Sequence, residues 1–239
     1  MRSIRIYQLG NHQIHTTINL NDNNTKHIST VLRMQIDDEL IIFANDYEYQ
    51  AKIITVSKKL TTIEILNKKY INRESPCNIN LIQAIPKGKR MELIIQKAVE
   101  LGVTSITPLL TQYTLCKKEQ LHKKYQQWLA IAIAACEQCG RNQIPIIYEP
   151  ITLNNVLKQS YNGNSYVLEP HIGKSWREHP QSQTTINLII GPEGGFHADE
   201  LTAIMTMNFV PLKLGIRILR TETAAIAALS LMQAIYGDL

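Results

Sequence analysis

The stretch at residues 186–196, INLIIGPEGGF, decides the fold, because it is an apolar strand that runs directly into a glycine-rich loop. Two further predicted strands end in comparable loops, LEPH at 168–171 and LGIRILRTET at 214–223. Open α/β sheets bind ligands outside the carboxyl ends of their strands. Glycines in two of these loops would let the backbone approach a ligand closely. We therefore expect the three loops to form one pocket.

Strand-like and helix-like segments alternate on both sides of that stretch. Apolar residues recur at helical spacing from Met91 to Leu101, and Gly102 follows as a C-terminal cap. The same criteria predict strands at 78–85, 105–110, 146–148, 165–168, 186–190 and 210–214, and helices at 91–101, 119–138, 153–159, 198–207 and 221–236. This alternation is typical of a parallel α/β sheet with helices on both faces.

Residues 1–70 show a different pattern, of short strands. The segments 40–43, 47–56 and 61–66 are rich in β-branched and aromatic side chains, and one helix-like piece lies near 27–33. Strands at this spacing predict a small barrel. The polar segment NRESP at 72–76 ends in a proline, which continues neither a helix nor a central strand, so it is the candidate linker. We predict two domains, at 1–72 and 73–239.

Composition excludes several classes of protein. The chain has 239 residues and 44% of them are hydrophobic, which argues against disorder. Its longest apolar run has nine residues, Trp128 to Cys136, whereas a membrane-spanning helix needs about 20. The first residues lack the apolar stretch of a signal peptide. Four cysteines do not make a disulfide framework in a chain of this size. We expect a cytoplasmic protein with reduced thiols and no membrane partner.

The net charge of +5 is unevenly distributed. Residues 71–145 hold 10 basic and 5 acidic residues, whereas residues 146–239 hold 6 basic and 8 acidic ones. A basic segment of this kind indicates a surface that faces phosphates; solvated helix faces are the alternative. Only 6% of residues are aromatic, so we do not expect a stacking platform for RNA bases.

Familiar motifs for other chemistries are absent. The chain has neither the G-x-x-x-x-G-K-[ST] of a phosphate loop nor a G-x-G-x-x-G dinucleotide motif. Taken alone, the loop at 191–195 is also compatible with a plain strand-to-helix turn. The C-x-x-C pair Cys136 and Cys139 lacks a second pair of ligands, so we interpret it as helix-packed thiols and predict no metal.

Taken together, the loops resemble the cofactor motifs of the SPOUT methyltransferases. Within that class the chain resembles the bacterial 16S rRNA (uracil-N3)-methyltransferase family over essentially its whole length. The resemblance rests on 191–195 (GPEGG), 214–215 (LG) and 218–224 (ILRTETA), and on upstream motifs at 27–34, 73–76, 87–103 and 131–141.

The resemblance implies a fold, a cofactor and partners. The C-terminal domain would be an α/β trefoil knot, a parallel sheet with flanking helices, preceded by a PUA-like β-barrel that holds RNA. S-adenosylmethionine would bind among the three loops. The substrate would be 16S rRNA, within the small ribosomal subunit, and the protein would act as a homodimer. Open alternatives are a SPOUT enzyme with a tRNA or large-subunit rRNA target, a non-catalytic ribosome-assembly factor, and a generic nucleotide-binding α/β enzyme.

Site residues follow from the matching motifs. Those implied to bind the cofactor are Leu168, Gly191, Pro192, Glu193, Gly194, Gly195, Leu214, Gly215, Ile218, Leu219, Arg220 and Thr223. Arg220 is the candidate cation beside the reacting uracil, its alternative role being an ion pair with Glu222 or Glu193. Glu193 is the candidate proton acceptor, its alternative role being to order its own loop or cap the next helix. Thr221, in the same motif, is equally a candidate for the N-cap of the last helix.

The candidate RNA-binding residues are cations in or beside the family motifs. Arg33 lies near the start, and the other four lie in the basic segment; these are Lys87, Arg90, Lys97 and Arg141. Arginine suits phosphate contacts because its planar fork makes two parallel hydrogen bonds. His171 lies at the end of the first loop, and the sequence leaves open whether its side chain faces the pocket or the solvent.

Overall fold

The computed structural model describes residues 3–112, 114, 118–178 and 184–239. The chain forms two compact units. The first unit consists of Met1–Glu74 with Cys136–Ile144, and the second of Ser75–Ala135 with Pro145–Leu239.

The first unit is built on a five-stranded sheet in the order β1-β3-β4-β5-β2. All neighbouring pairs are antiparallel except β1 and β3, which run parallel. The strands are β1 (Arg5–Tyr7), β2 (Thr17–Asn19), β3 (Glu39–Ala44), β4 (Tyr47–Val56) and β5 (Thr61–Tyr70). The three longer strands confirm the prediction. The two three-residue strands were not predicted, because segments so short carry no periodicity.

Alternation of side chains builds the core of this unit. Tyr49, Ala51 and Ile53 on β4 and Ile63 and Ile65 on β5 are all buried, and the residues between them are more exposed. Burying each isoleucine contributes about 2 kcal/mol. Two irregularities in the β4–β5 register increase the twist that lets the sheet curl around this core.

The structure contains the helical piece that was predicted near 27–33. A short helix, α1 (Asp22–Lys26), begins where Asn21 Oδ1 accepts a hydrogen bond from the Asn24 backbone, at 2.9 Å. A π-helical turn, His27–Leu32, continues it and ends at Arg33, whose φ of 53° is left-handed. Ile28, fully buried, anchors this turn in the core.

An arginine–carboxylate cluster fastens residues 136–144 to the sheet of the first unit. Glu48 Oε1 accepts from Arg5 and, at 2.6 Å, from Arg73 Nη1. Arg5 Nη2 also donates to Asn142 Oδ1 at 2.7 Å, and Arg73 Nη1 donates to the Gly140 carbonyl at 2.8 Å. Arg73, which belongs to the predicted linker at 72–76, therefore makes specific contacts within this unit.

The second unit contains one parallel sheet in the order β11-β13-β10-β12-β6-β7-β8, with β9 also paired to β7. Its strands are β6 (Asn78–Ala84), β7 (Ser105–Leu110), β8 (Ile146–Ile147), β9 (Ile151–Thr152), β10 (Asn164–Leu168), β11 (Lys174–Ser175), β12 (Thr185–Ile190) and β13 (Val210–Lys213). β12 is buried along almost its whole length, as expected for a central strand covered on both faces.

Five helices belong to the connections of this sheet. They are α2 (Arg90–Glu100), α3 (Lys118–Cys139), whose last turn belongs to the first unit, α4 (Leu153–Val156), α5 (Ala198–Met205) and α6 (Thr221–Tyr236). All five were predicted, although α4 ends at Val156 rather than at 159 and α5 ends two residues early. Gly102, after α2, has a φ of +73°, which confirms its role as a helix cap.

The last segment of the chain crosses back over the sheet. β13 lies near one edge of the sheet, whereas α6 packs against α2 and contacts the central strands β6 and β12. Gln233 secures the far end of α6, because its Nε2 donates to the Leu101 carbonyl at 2.8 Å and its Oε1 accepts from Ser75 at 2.7 Å. The chain thus returns from near the edge of the sheet to its centre.

A row of polar side chains, all buried except the half-buried Asn80, links four neighbouring strands and fixes their register. Ser105 Oγ donates to Asn80 Oδ1 at 2.7 Å, Asn80 donates to Asn187 at 3.0 Å, and Asn187 donates to Ser165 Oγ at 3.1 Å. A shift of one strand would leave these polar groups buried without partners, which is costly. Among the described helices, none is long and apolar enough to cross a membrane.

Glu48→Gln tests the arginine–carboxylate cluster, and we expect it to lower the free energy of unfolding at neutral pH by roughly 3 kcal/mol. Burial acts to raise the pKa of Glu48, but hydrogen bonds and charges from Arg73 and Arg5 outweigh it and hold the pKa below its usual 4.5. The stabilisation is therefore present above that pH and is lost as the pH falls through the lower, folded-state pKa.

Urea denaturation followed by circular dichroism measures this difference at neutral and acidic pH. The difference in the free energy of unfolding between Glu48→Gln and the unsubstituted protein should be smaller at acidic pH. A gap that is the same at both pH values would show that the charge of Glu48 does not stabilise the fold.

Candidate active site

The three loops meet at one edge of the second sheet. β13, β10 and β12 are adjacent strands, so the loops that leave their carboxyl ends surround one cavity. The predicted residues on its wall are Leu168, Gly191, Pro192, Glu193, Gly195, Leu214, Gly215, Ile218 and Leu219. Residues that the sequence did not assign to the cofactor also line it, namely Glu169, Pro170, Ile190, Phe196, Leu212, Arg217, Thr221 and Ala224.

Three of the predicted residues are not on this wall: Gly194, Arg220 and Thr223. The helical period explains Thr223, because α6 turns Thr221 and Ala224 toward the cavity and leaves Thr223 exposed. Arg220 precedes the helix in an extended conformation, and its side chain is exposed. The linear motif could not separate these positions, since the residues adjoin one another in sequence.

The backbone shapes one side of the cavity. The Gly195 N–H donates to the Pro192 carbonyl at 3.0 Å, and Gly195 has a φ of +71°, a conformation that glycine adopts without strain. At Gly191 a Cβ atom would lie 3.2 Å from the Phe196 ring, so glycine also permits close packing there. The loop thus keeps its backbone against the cavity.

The cavity suits a nucleoside-containing ligand such as S-adenosylmethionine. Apolar side chains including Leu168, Leu212 and Leu219 supply walls for an adenine ring. From Gly215 to Leu219, no backbone N–H or C=O group hydrogen-bonds to another residue within the described part of the chain. Such groups can serve the polar edge of the base and the ribose hydroxyls. The residues present therefore fit the cofactor that the sequence motifs implied.

Arg90 joins three segments around this cavity. Its guanidinium forms an ion pair with Glu193 in the loop after β12, and its Nε lies 3.5 Å from Glu222 Oε1 at the start of α6. The backbone N–H of Lys87, just before α2, donates to Glu193 Oε1 at 3.0 Å. Two carboxylates therefore engage Arg90, and its assignment to RNA stays a prediction.

The same cluster defines the state of Glu193. Partial burial acts to raise its pKa, but hydrogen bonds from its own backbone N–H and that of Lys87, together with Arg90, lower the pKa overall. A carboxylate whose pKa is lowered is a weaker base. The geometry thus favours the loop-ordering role for Glu193 over proton acceptance.

Thr221 connects the last helix to the cofactor loop. Its buried hydroxyl donates to the Gly191 carbonyl at 2.7 Å and accepts from Gln83 Nε2 at 3.0 Å. The N-cap of α6 is Arg220, so Thr221 does not cap the helix. The sequence suggested a capping role because threonine is common there, whereas its partners are remote in sequence.

Arg220 remains available for a ligand. Glu193 and Glu222, its two alternative partners, both pair with Arg90. The exposed guanidinium of Arg220 forms no ion pair with any residue that the structure describes. It lies between Leu219 and Thr221, which both line the cavity.

The other RNA candidates divide by exposure. Arg33 is exposed and lines a groove of the first unit together with Lys68 and Lys69, which the sequence did not single out because they lie outside its basic segment. Lys87 is exposed, next to the cluster that Arg90 forms. Lys97 is half-buried and forms an ion pair with Glu100 at 2.8 Å.

Arg141 is not on the surface, and the prediction that it binds RNA is wrong. Its side chain is only 7% exposed and forms an ion pair with Glu74 within the first unit. The Arg141 Nε donates to both Glu74 oxygens at 3.1 Å. Sequence position gave no sign of this burial, because Glu74 lies far away along the chain.

The remaining chemical candidates, Cys136 and His171, do not line the cavity. Cys136 is buried, and burial raises the pKa of its thiol to about 12, so it stays protonated. Its Sγ lies 3.5 Å from the Gln143 carbonyl. His171 is exposed and does not line the cavity. Within the described ranges, no three potential ligands cluster in a way that would hold a metal.

Known proteins are similar to this chain in sequence and in fold. An RNA methyltransferase domain matches residues 73–233, and an RNA methyltransferase PUA domain matches residues 20–66. The ribosomal RNA small subunit methyltransferase E of Buchnera aphidicola subsp. Schizaphis graminum is 41% identical over 231 residues, which cover 95% of this chain and 94% of the relative. The protein of the same name from Bacillus subtilis is 28% identical over 226 residues, which cover 90% of this chain and 88% of the relative.

Two solved structures cover all of this chain and are themselves wholly covered. One, from Legionella pneumophila, is described as a methyltransferase in complex with the bound cofactor SAM, and it matches with a TM-score of 0.97 at 45% identity. The other is a ribosomal RNA small subunit methyltransferase E from Neisseria gonorrhoeae bound to S-adenosyl methionine, with a TM-score of 0.92 at 32% identity.

The chain has a PUA domain followed by a parallel sheet, and its C-terminal segment crosses back over that sheet and lines the cofactor cavity. This combination defines a SPOUT-class RNA methyltransferase. Sequence identity over nearly the whole length then narrows the class. The chain belongs to the ribosomal RNA small subunit methyltransferase E family.

Ala224→Trp tests the cavity. Ala224 lines it, so the larger ring should fill the space and weaken S-adenosylmethionine binding by more than about tenfold. The matched control is Thr223→Trp, one residue earlier on the exposed face of α6, which should bind as the unsubstituted protein does. Isothermal titration calorimetry measures both. Equal affinities for the two variants would mean that the cofactor binds elsewhere.

Arg90→Met tests the three-segment cluster. Partly exposed ion pairs contribute up to about 1 kcal/mol each, so losing two should weaken cofactor binding by about fivefold to tenfold and lower the melting temperature. The control Lys97→Met removes an ion pair on the same helix that involves no cavity residue. Calorimetry and thermal unfolding compare them. Unchanged cofactor affinity in Arg90→Met would contradict a role in positioning the loop.

Proposed function

We propose that this protein transfers a methyl group from S-adenosylmethionine to N3 of a specific uridine in 16S rRNA. The observation that carries the proposal is the cavity formed by the three loops, in a chain of the small subunit methyltransferase E family. The cofactor supplies a methyl group on a positively charged sulfur, and the transfer is an in-line displacement. Holding the two reactants close and aligned can lower the barrier by about 7–11 kcal/mol.

The acceptor imposes two requirements. Uracil N3 lies on the Watson–Crick edge, so the base must be unpaired or flipped out, at a cost of a few kcal/mol. The N3 proton must also leave, which puts negative charge on the ring. Fixed cations and N–H groups at the site where charge develops lower the barrier.

The chain supplies groups for each task. The apolar walls and open backbone of the cavity bind the cofactor, while Arg90, Glu193 and Thr221 hold the loops that form them. Arg220 has an exposed guanidinium without an ion-pair partner among the described residues, next to the cavity. We assign Arg220 to stabilising the uracil anion and Glu193 to ordering its loop.

The RNA would meet both units. In the first unit, Arg33, Lys68 and Lys69 line one groove and offer positive charge to phosphates. In the second, Lys87 is exposed beside the active site. The substrate on this proposal is the uridine within the small ribosomal subunit, and the protein works in the cytoplasm as a homodimer, as the family resemblance implies.

In vitro methylation tests the function. The full-length protein is incubated with labelled S-adenosylmethionine and 30S subunits, free 16S rRNA, 50S subunits or tRNA, and the product nucleoside is identified by mass spectrometry. We expect 3-methyluridine in 16S rRNA alone. Another modified nucleoside, or methylation confined to tRNA or 50S subunits, would overturn the proposal.

Arg220→Met separates catalysis from binding in that assay. Loss of a group that stabilises charge in the transition state typically costs about 100-fold in kcat. Cofactor affinity should be unchanged, because Arg220 does not line the cavity. The exposed Arg177, which lies over the ring of Trp176, provides the control substitution Arg177→Met. A full kcat in Arg220→Met would remove Arg220 from the reaction.

A further inference from the structure

Ring contacts join four side chains of the first unit in one row. The ring centroids of His12 and Tyr49 are 5.1 Å apart, those of Tyr49 and Tyr47 6.2 Å, and those of Tyr47 and Tyr70 5.5 Å. Tyr47 and Tyr70 face each other across β4 and β5. The fold thus concentrates aromatic rings that are sparse in the sequence, and the expectation drawn from composition, that no stacking platform exists, does not account for this row.

Packing explains the middle of the row but not the ring of Tyr70 at its end. Tyr49 is 1% exposed and belongs to the core of the first unit, and Tyr47 packs against that core. Tyr70 is 58% exposed and is not part of the core. Its contact with Tyr47 orients the ring while much of its surface faces solvent. An exposed ring held in a fixed orientation is suited to stacking on a flat partner.

Positive charge lies beside the exposed ring. Lys68 Nζ is 4.2 Å from the centroid of Tyr47 and donates to Asn11 Oδ1 at 2.7 Å, so it is held in place. Lys69 precedes Tyr70, is exposed, and forms no ion pair with any described residue. Both lysines line a groove with Arg33, but Tyr70 does not line it, and only Lys68 shares the face of β5 that carries Tyr70.

A ring for stacking beside cations is the combination that proteins use to bind single-stranded nucleic acid. We propose that Tyr70 stacks on an unpaired base of the RNA substrate, while Lys68, on the same face of the sheet, contacts a neighbouring phosphate. The inference rests on the proposed function only in taking RNA as the substrate. A purely structural role predicts something else, since the Tyr47–Tyr70 pair would then stabilise the sheet and leave RNA affinity unchanged.

Substitutions at Tyr70 separate these roles. Tyr70→Phe keeps an aromatic face, and Tyr70→Leu keeps an apolar partner for Tyr47 without one. Tyr148→Ala is the control, because Tyr148 is a similarly exposed tyrosine, 48%, in the second unit. The probes are a labelled single-stranded oligoribonucleotide of mixed sequence and the same sequence as a duplex. Fluorescence anisotropy measures affinity for both, and thermal unfolding confirms that each variant is folded.

We expect Tyr70→Leu to bind the single strand about tenfold more weakly than the unsubstituted protein, with Tyr70→Phe and Tyr148→Ala unchanged. Affinity for the duplex should be the same for all four proteins, because its bases are already stacked. Equal single-strand affinity of Tyr70→Leu and the unsubstituted protein would overturn the proposal. Equal losses for single strand and duplex would also overturn it, since that pattern indicates a general change of the surface.

Methylation of 30S subunits by the same proteins keeps the two proposals apart. If the unsubstituted protein methylates 16S rRNA and Tyr70→Leu has the same KM, stacking is refuted and the proposed function stands. If the unsubstituted protein binds the single strand through Tyr70 but methylates no RNA, the proposed function fails and the stacking site stands.

Discussion

The active site depends on the hydroxyl group of Thr221, where the returning chain meets the sheet. This buried group donates to the Gly191 carbonyl and accepts from Gln83, so it joins the last helix, the cofactor loop and a central strand. A buried hydroxyl without partners would cost free energy, so the three segments are held together. The cavity lies among the segments that this contact joins, and its shape follows from the crossing of the chain.

Charge stabilises the same arrangement from the outside. Arg90 neutralises Glu193 and Glu222, and this leaves Arg220 with an exposed guanidinium. These arginines thus have different tasks, because their carboxylate partners are set by the fold. Arg141 is the extreme case, since its pairing with Glu74 withdraws it from the surface. The basic segment of the sequence is therefore only in part a surface for RNA.

Much of the fold could be predicted from pattern alone. The alternation of apolar segments with helical periodicity predicted the five longer strands of the second unit and its five α-helices, because burial of one helical face or both sheet faces constrains composition locally. Most strands of two or three residues, such as Lys174–Ser175, were not predicted because they carry no period, although Ile146–Ile147 was. The assignment of Cys136–Ile144 to the first unit rests on contacts of Arg5 and Arg73 that no local pattern encodes.

The sequence by itself determined the class of fold, the three loops and most of the cavity wall, because glycine-rich turns after apolar strands are local features. Only the tertiary structure decided which side chains reach the cavity and which cations are free. Thr223 and Ala224 are neighbours in sequence, yet the helix turns only Ala224 toward the cavity. The aromatic row that ends at Tyr70 likewise appears only when two strands pair. Pairing and burial arise between residues distant in sequence, and a linear pattern does not contain them.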